Sequence, residues 1–304
     1  MGKNESFLRC GGVAVVLASV RMNPHKEDTV TTRDLEQTQE AWEAIAEGYD
    51  EFVTPTHMSL GSEALTRAGI APGVRFLDVA AGSGALSLPA ARLGALVTAT
   101  DIAPAMIERL AERARREGLE VETRVMDGHA LELEDDRFDI AGSQYGVMLF
   151  PDLPRALREM KRVTRPGGRV FLVVYGAPTQ VEFLGFFMAA MQATVPSFTG
   201  LPLDPPPLPF QVADPELLRQ ALVDAGLKDV HVDTVTQEME FRSGRHMWDW
   251  IVNSNPLATM LVADLTNAQG DGVRDALDRM LRERSGGRGA AVLTDPNHIG
   301  VGTA

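Results

Sequence analysis

Short apolar runs alternate with amphipathic stretches along the middle of this chain, from about residue 74 to residue 175. Between the runs, apolar positions recur at helical spacing, and Pro104 and Gly118 stand where one such helix would begin and end. Strands that alternate with helices in this way predict a parallel sheet covered by helices on both faces. The predicted strands are Val74–Val79, Leu96–Thr100, Val121–Met126, Phe138–Ser143 and Val170–Tyr175. The predicted helices are Leu86–Leu93, a helix opened by Pro104 and ended by Gly118, and Leu153–Val163, the last followed by a turn at Arg165–Gly168.

The pattern changes on both sides of this segment. Before it, apolar positions from Leu35 to Tyr49 follow helical spacing, with Thr31 or Thr32 as the cap. After it, residues 176–214 are rich in Pro, Phe and Met and predict a helical cap inserted over one end of the sheet. The predicted units are therefore a flexible extension at 1–33, a core at 34–175, a substrate cap at 176–214 and a remainder at 215–304. Within the remainder we predict a helix at 215–225, a strand at 230–241, a helical stretch that runs with breaks from 248 to about 284, and short apolar runs at 290–304.

Composition narrows the classes of function. Lys and Arg number 29 against 42 Asp and Glu, which gives a net charge of −13 and disfavours binding to nucleic acid. The single cysteine, Cys10, cannot form an internal disulfide or supply a zinc or iron–sulfur site. We therefore expect a cytoplasmic protein without a metal site.

The first residues imitate two targeting signals. The apolar run Gly11–Val20 follows basic residues as in a secretory signal, but it is too short to span a bilayer. Met1-Gly2 with Ser6 also matches the loose myristoylation pattern. The favoured interpretation is a disordered extension with no membrane contact, and Met22 is an alternative start.

The segment Asp78–Gly84 (DVAAGSG) carries the most informative chemistry, because it follows a predicted strand and opens a predicted helix. Glycines at such a turn let a ligand approach the backbone. Asp101 ends the second strand, where a carboxylate can bind both hydroxyls of a ribose, and Asp127 ends the third, where one could hold an adenine amine. All three acids stand at the carboxyl ends of adjacent strands, the edge at which open α/β sheets bind ligands.

The loop distinguishes between two nucleotide cofactors. The dinucleotide fingerprint requires a third glycine, but Gly82 and Gly84 are followed by Ser87. Asp78 beside the loop would repel a pyrophosphate, whereas it could accept the ammonium of an amino-acid moiety. The segment therefore favours S-adenosylmethionine over NAD.

These motifs resemble the class I S-adenosylmethionine-dependent methyltransferases, and most of all the ubiquinone and menaquinone C-methyltransferase group. Three further segments carry the resemblance: Ser143–Gly146 (SQYG), Lys161–Gly168 (KRVTRPGG) and Tyr49-Asp50. The match covers about residues 41–175 well. One departure is Ala80-Ala81, a position at which the family often has Gly-Cys or Gly-Ala. The resemblance implies an α/β fold with a doubly wound, mostly parallel sheet of seven strands, the last antiparallel at 290–304, and a lid helix before the core. The cofactor residues it implies are Tyr49, Asp78, Ala80, Gly82, Ser83, Gly84, Asp101, Ile102, Met106, Asp127, Gly128, Ser143 and Gln144.

Several of these residues also have ordinary interpretations. Asp127-Gly128 is a common turn pair, and Met106 is nearly as well explained as a core residue. His129 is better read as a solvated loop residue than as a cofactor ligand. Phe183, Phe187, Met191 and their neighbours recur near helical spacing, which suits core packing, a pocket wall, or both.

The predicted function is methyl transfer to an O, C or N nucleophile of a small, apolar or aromatic molecule. The predicted catalytic residues are His57, as a base of ordinary pKa that takes a proton from a phenol or enol, and Tyr145 beside the transferable methyl. The alternative is a non-catalytic protein that binds S-adenosylmethionine as a sensor or partner subunit. A homodimer is left open.

Overall fold

The computed structural model describes residues 32–201 and 206–304. The expectations for the extension up to residue 31, including Cys10, the apolar run 11–20 and the start at Met22, lie outside these residues. So does the beginning of the proline run, at Pro205.

A sheet of seven strands forms the centre of the fold, in the order β3-β2-β1-β4-β5-β7-β6. The strands are β1 (Arg75–Val79), β2 (Leu96–Asp101), β3 (Val121–Val125), β4 (Phe138–Gln144), β5 (Thr164–Tyr175), β6 (Lys228–Phe241) and β7 (Ala291–Thr303). Strands β1 to β5 are parallel, and β7 lies antiparallel between β5 and β6. The predicted doubly wound α/β fold is confirmed. Because β1 is flanked by β2 and β4, the direction of winding reverses beside β1, where such sheets bind ligands.

Helices cover the sheet and extend beyond one end. They are α1 (Thr32–Gly48), α2 (Thr54–Ala68), α3 (Ser87–Arg92), α4 (Pro104–Glu117), α5 (Leu153–Val163), α6 (Glu182–Thr194), α7 (Pro215–Asp224), α8 (Gly244–Ser254), α9 (Pro256–Val262) and α10 (Asn267–Arg284). Proline begins α4 and Gly118 ends it with φ +67°, as the sequence predicted. Within residues 32–201 and 206–304, no helix is both long and apolar enough to cross a bilayer.

One local prediction was wrong. The segment Arg165–Gly168 belongs to β5 rather than to a turn; Thr164 already pairs with Phe138, and the register shifts before Ile140, as at a β-bulge. The sequence also left 54–68 unassigned, where α2 follows α1 through a π-helical turn (Tyr49–Val53). The predicted helical stretch with breaks after 248 is confirmed as three helices, because Asn255 and Thr266 cap new helices at Pro256 and Asn267.

Two apolar clusters hold the structure together. One packs β1, β4 and β5 against α2, α5 and α7. The other packs α6, α8 and α10 against the far halves of β6 and β7, with Trp250, Phe187 and Leu277 fully buried. Phe183, Phe187 and Met191 lie in this second cluster, so the core-packing interpretation of α6 is correct.

Candidate cofactor and acceptor site

Asp78 lies fully buried in β1, next to its carboxyl end. One carboxylate oxygen, Oδ2, accepts a hydrogen bond from the Ser87 hydroxyl at 2.5 Å, and Oδ1 has no partner. Burial, with a smaller contribution from the nearby carboxylate of Asp101, raises the pKa of Asp78 to about 7 against the opposite effect of the bonds from Ser87. A buried carboxylate with an open oxygen is a site for a cation or a hydrogen-bond donor.

The loop after β1 bends through three residues in the left-handed region, Ala80 (φ +56°), Gly82 (φ +54°) and Gly84 (φ +102°). A Cβ on Gly84 would lie 2.2 Å from the Cδ1 atom of Leu110, so only glycine fits there. Ala80 carries a Cβ in a conformation that costs an ordinary residue about 1 kcal/mol or more. Such strain at a ligand-facing loop is typical of a functional site.

Asp101 at the end of β2 is held by backbone donors. Its Oδ2 accepts from the Gly82 amide and its Oδ1 from the Ala103 amide, both at 2.9 Å. Burial raises its pKa, whereas these amides lower it. The carboxylate is thereby oriented toward the loop, with lone pairs left for a further donor.

Asp127 after β3 forms a pair with His129. Its Oδ1 accepts from the His129 amide at 2.9 Å and lies 2.8 Å from Nδ1 of the ring, which packs against Phe150 at 4.5 Å between centroids. Burial alone would raise the pKa of Asp127, but the bonds from His129 outweigh it and leave the pKa below its ordinary value. The expectation that His129 is solvated was wrong: the residue is buried, and its Nε2 atom has no partner.

These strand ends surround a cavity at the carboxyl edge of the sheet. One wall comes from α1, which contributes Leu35, Thr38 and Trp42. Of the predicted residues, the lining includes Tyr49, Ala80, Gly82, Asp101, Ile102, Met106, Asp127, Gly128, Gln144 and Tyr145.

Five predicted residues do not line the cavity. Asp78 and Gly84 support the loop from beneath. Ser83 is buried with its hydroxyl 2.6 Å from that of Thr54, and the Ser143 hydroxyl accepts from the Val147 amide. His57 is the fifth. The residues that line the cavity but were not predicted are Leu35, Thr38, Trp42, Met126, His129, Gly146, Leu149, Phe150 and Pro151. The helical spacing of α1 was apparent in the sequence, but the cavity that this helix covers was not.

Gln144 and Tyr145 end β4 at the inner side of the cavity. The Gln144 amide nitrogen donates to the His57 carbonyl at 3.0 Å, while its Oε1 is buried without a partner. Tyr145 adopts φ +57°, unusual for an aromatic residue. Its ring lines the cavity, and its hydroxyl reaches Gln237 and Asn297 on the far side.

His57 is buried in α2, with its ring 4.7 Å from the Tyr145 ring and 6.0 Å from the Trp250 ring. Burial lowers its pKa to about 3. This corrects the expectation of a histidine base of ordinary pKa, because an imidazole so hard to protonate is a weak proton acceptor.

The residues present fit S-adenosylmethionine. Asp78 offers an open carboxylate oxygen for the ammonium group, and Asp101 offers lone pairs for ribose hydroxyls. Gln144 Oε1 and His129 Nε2 are further buried polar atoms without partners at this cavity. In the described ranges, no three His, Cys, Asp or Glu side chains group to hold a metal ion.

Comparison with known proteins gives the same assignment. Residues 77–172 match the family described as methyltransferase domain. The chain is 42% identical over 141 residues to Rv1405c of Mycobacterium tuberculosis, covering 46% of this chain and 50% of that protein. It is 29% identical over 171 residues to demethylmenaquinone methyltransferase of Corynebacterium urealyticum, covering 54% and 71%. The chain thus spans about half the length of the mycobacterial relatives it matches.

A solved structure with the same fold is phosphoethanolamine N-methyltransferase 2 of Haemonchus contortus, in complex with phosphomonomethylethanolamine and S-adenosylhomocysteine. Its TM-score is 0.51 at 17% identity, covering 90% of this chain and 60% of that one. The resemblance inferred from the motifs is confirmed, together with its fold and its cofactor. Residues 77–172 therefore match the methyltransferase domain family on the same motifs that resemble the class I S-adenosylmethionine-dependent enzymes.

Proposed function

We propose that this protein transfers a methyl group from S-adenosylmethionine to a small molecule with an apolar or aromatic body. The observation that carries the proposal is the cavity at the winding reversal of the sheet, which Asp101 and Asp127 line, with the open oxygen of Asp78 buried beneath the glycine loop beside it. Asp78 would hold the ammonium group, Asp101 the ribose hydroxyls and Asp127 the adenine amine.

When bound, the cofactor supplies a methyl group already activated by the positive sulfonium. The chain therefore has to position and enclose the reactants more than activate them. Tyr49 and Trp42 close the cavity from the α1 side, with their rings 5.9 Å apart. Gln144 and Tyr145 would meet the acceptor, since they end the strand next to the glycine loop.

A small-molecule acceptor is supported over nucleic acid by the net charge of −13. The single cysteine supports a cytoplasmic location as part of this proposal. The alternative is binding of the cofactor without turnover; the strained Tyr145 beside a polar cluster favours catalysis, because strain of this kind persists where a site requires it.

Titration calorimetry tests the cofactor assignment. We expect S-adenosylhomocysteine to bind and NAD to give no heat. Turnover is then tested by following formation of S-adenosylhomocysteine with phenols, quinols and polyketide-like acceptors. Binding of NAD, or of neither ligand to folded protein, would contradict the proposal, and binding without turnover across these acceptors would favour the non-catalytic alternative.

A further inference from the structure

Helix α1 and the π-helical turn after it, together called the cover (Thr32–Val53), close one side of the cavity. Trp42 of α1 and Tyr49 of the turn line the cavity. Met106, which packs against α1, is 1% exposed and Asp101 is 8% exposed, although both also line the cavity. A ligand as large as a nucleoside therefore passes this side of the cavity only if the cover moves.

The cover is anchored to the rest of the fold at its end. Val53, the last residue of the π-helical turn, is fully buried in the second apolar cluster, and the Thr54 hydroxyl lies 2.6 Å from the Ser83 hydroxyl. The beginning of α2 is therefore fixed against the glycine loop. Because helices bend where a π-helical turn interrupts their hydrogen bonds, α1 can swing about this turn while α2 stays in place.

One side chain of α4 holds that turn. Arg113 donates from Nε to the carboxylate oxygen Oδ1 of Asp50, and from Nη2 to the Asp50 carbonyl oxygen at 2.5 Å. The two side chains are only 22% and 16% exposed, so salt screens this pair less than it screens a surface pair. Arg109 lies farther away, 4.0 Å from Oδ2 of Asp50. A guanidinium that donates to two oxygens of one residue fixes both the position and the orientation of that residue.

The sequence explains why the Asp50 carbonyl needs this donor. In a π-helical turn each carbonyl accepts from the amide five residues later, and the Tyr49 carbonyl accepts from the Thr54 amide in this way. For Asp50 the corresponding residue is Pro55, which has no N–H. Arg113 supplies the donor that the backbone lacks. Without Arg113, two oxygens of one partly buried residue would lose their donors, which is costly.

Another wall of the cavity, which includes Leu149 and Phe150, is held by different contacts. The amide nitrogen of Gln211 donates to the carbonyls of Met148 and Phe150 at 2.6 and 3.1 Å. This wall is therefore fixed to the segment after α6, whereas Arg113 acts on the α1 side. A substitution of Arg113 thus changes the hold on one side of the cavity and leaves these bonds in place.

We propose that Arg113 is a positioning residue of the cofactor site: through Asp50 it holds the cover over the cavity and limits how fast S-adenosylmethionine enters and S-adenosylhomocysteine leaves. Arg113 is not one of the described residues that line the cavity, so it acts through Tyr49, the neighbour of Asp50. The Tyr49 ring lies over the glycine loop, 3.2 Å from where a Cβ on Gly82 would stand. The inference rests on the proposed function and deepens it.

Binding kinetics test the proposal apart from activity. The probe is S-adenosylhomocysteine, mixed with the protein by stopped flow and followed by tryptophan fluorescence, because Trp42 lines the cavity. Arg113→Gln should raise the association and dissociation rate constants together, each roughly three- to tenfold, and leave Kd within about twofold of wild type. Both rate constants change because the contact must open for entry and for exit alike. Arg116→Gln is the matched control on the same helix: its side chain is 66% exposed and pairs with Glu112, so it should leave both rate constants unchanged.

A double-variant cycle shows whether Arg113 acts through Asp50. Asp50→Asn weakens the same contact from the other side and should also raise both rate constants. Because the two substitutions remove one shared contact, the double variant should have the rate constants of Arg113→Gln, whereas multiplied effects would overturn the proposal. It is also overturned by unchanged rate constants in Arg113→Gln, by faster dissociation with unchanged association, or by an equal effect of Arg116→Gln.

Amide hydrogen exchange without added ligand provides a second readout. A helix released from its packing is marginal in water, so peptides from residues 35–53 should exchange faster in Arg113→Gln than in wild type, while those from β1 and β4 exchange equally in both. Unchanged exchange at 35–53, or faster exchange throughout the chain, overturns the proposal. Failure of the proposed function is recognised separately, because wild type would then bind no S-adenosylhomocysteine, and exchange at 35–53 would still decide whether Arg113 holds the cover.

Discussion

Replacing Asp78 with asparagine should make the cofactor-free protein progressively more stable than wild type as the pH rises. Folding raises the pKa of this carboxyl from 3.8 to about 7 by burial. Between these values the unfolded chain has released a proton that the folded protein retains, so wild-type stability falls with rising pH up to about 7 and is then level. Asparagine has no proton to release, and it keeps an oxygen for Ser87.

The size of the effect follows from the shift. At 1.36 kcal/mol per pKa unit, the full contribution is about 4 kcal/mol, of which roughly 2–3 kcal/mol develops between pH 5 and pH 8. Urea denaturation of both proteins at several pH values measures the difference in unfolding free energy, and this difference is the quantity predicted to grow.

Asp139→Asn is a matched control of opposite sign. Arg75 and Arg165 bind Asp139 and hold its pKa well below the ordinary value, so its stabilising effect is complete above pH 5. That variant should be less stable than wild type by an amount that does not change from pH 5 to pH 8. If the stability difference for Asp78→Asn is equally flat, Asp78 is ionised in the folded protein and the reasoning that burial raises its pKa is refuted.

Three further variants address the site and its loop. Asp101→Asn should weaken binding of S-adenosylhomocysteine roughly ten- to a hundredfold by loss of charge-assisted bonds, as calorimetry would measure; unchanged affinity would place the ribose elsewhere. Gly84→Ala should lower the free energy of unfolding in urea by about 2 kcal/mol or more, because its Cβ would lie 2.2 Å from Leu110. The control Gly73→Ala has nothing within 4 Å of its Cβ and should lower it by about 1 kcal/mol, and equal losses in the two variants would contradict the packing argument. His57→Asn should leave the shape of the pH–rate profile unchanged, since a pKa near 3 adds no inflection at pH 5–9, and an inflection abolished by the variant would restore His57 as the base.

The cofactor half of the site could be predicted because its signals are local. A glycine turn after a strand, with an acid at the end of each neighbouring strand, defines both the fold and the edge that binds ligand. Asp101 and Asp127 lie where this logic places them, and both line the cavity. Burial of His129 was invisible because it depends on packing against Phe150.

The contacts of Tyr145 could not be predicted in this way. The Tyr145 hydroxyl contacts side chains 92 and 152 positions later in the chain. Nothing in the alternation at 230–241 or in the short runs at 290–304 marks Gln237 or Asn297 as buried partners of a tyrosine. Only the register of β7 between β5 and β6 brings them together, and register is a property of the folded sheet.

The antiparallel strand β7 has a consequence for the order of folding. The cofactor cavity is built from consecutive elements between residues 32 and 175, whereas β7 pairs residues 297–303 with residues 169–175. Pairings so distant in sequence form late, because closing a long loop costs entropy before any contact is gained. The part of the sheet that lines the cavity can therefore assemble before β7 and β6 join it. A ligand bound at the cavity would then stabilise the chain before its last strands are paired.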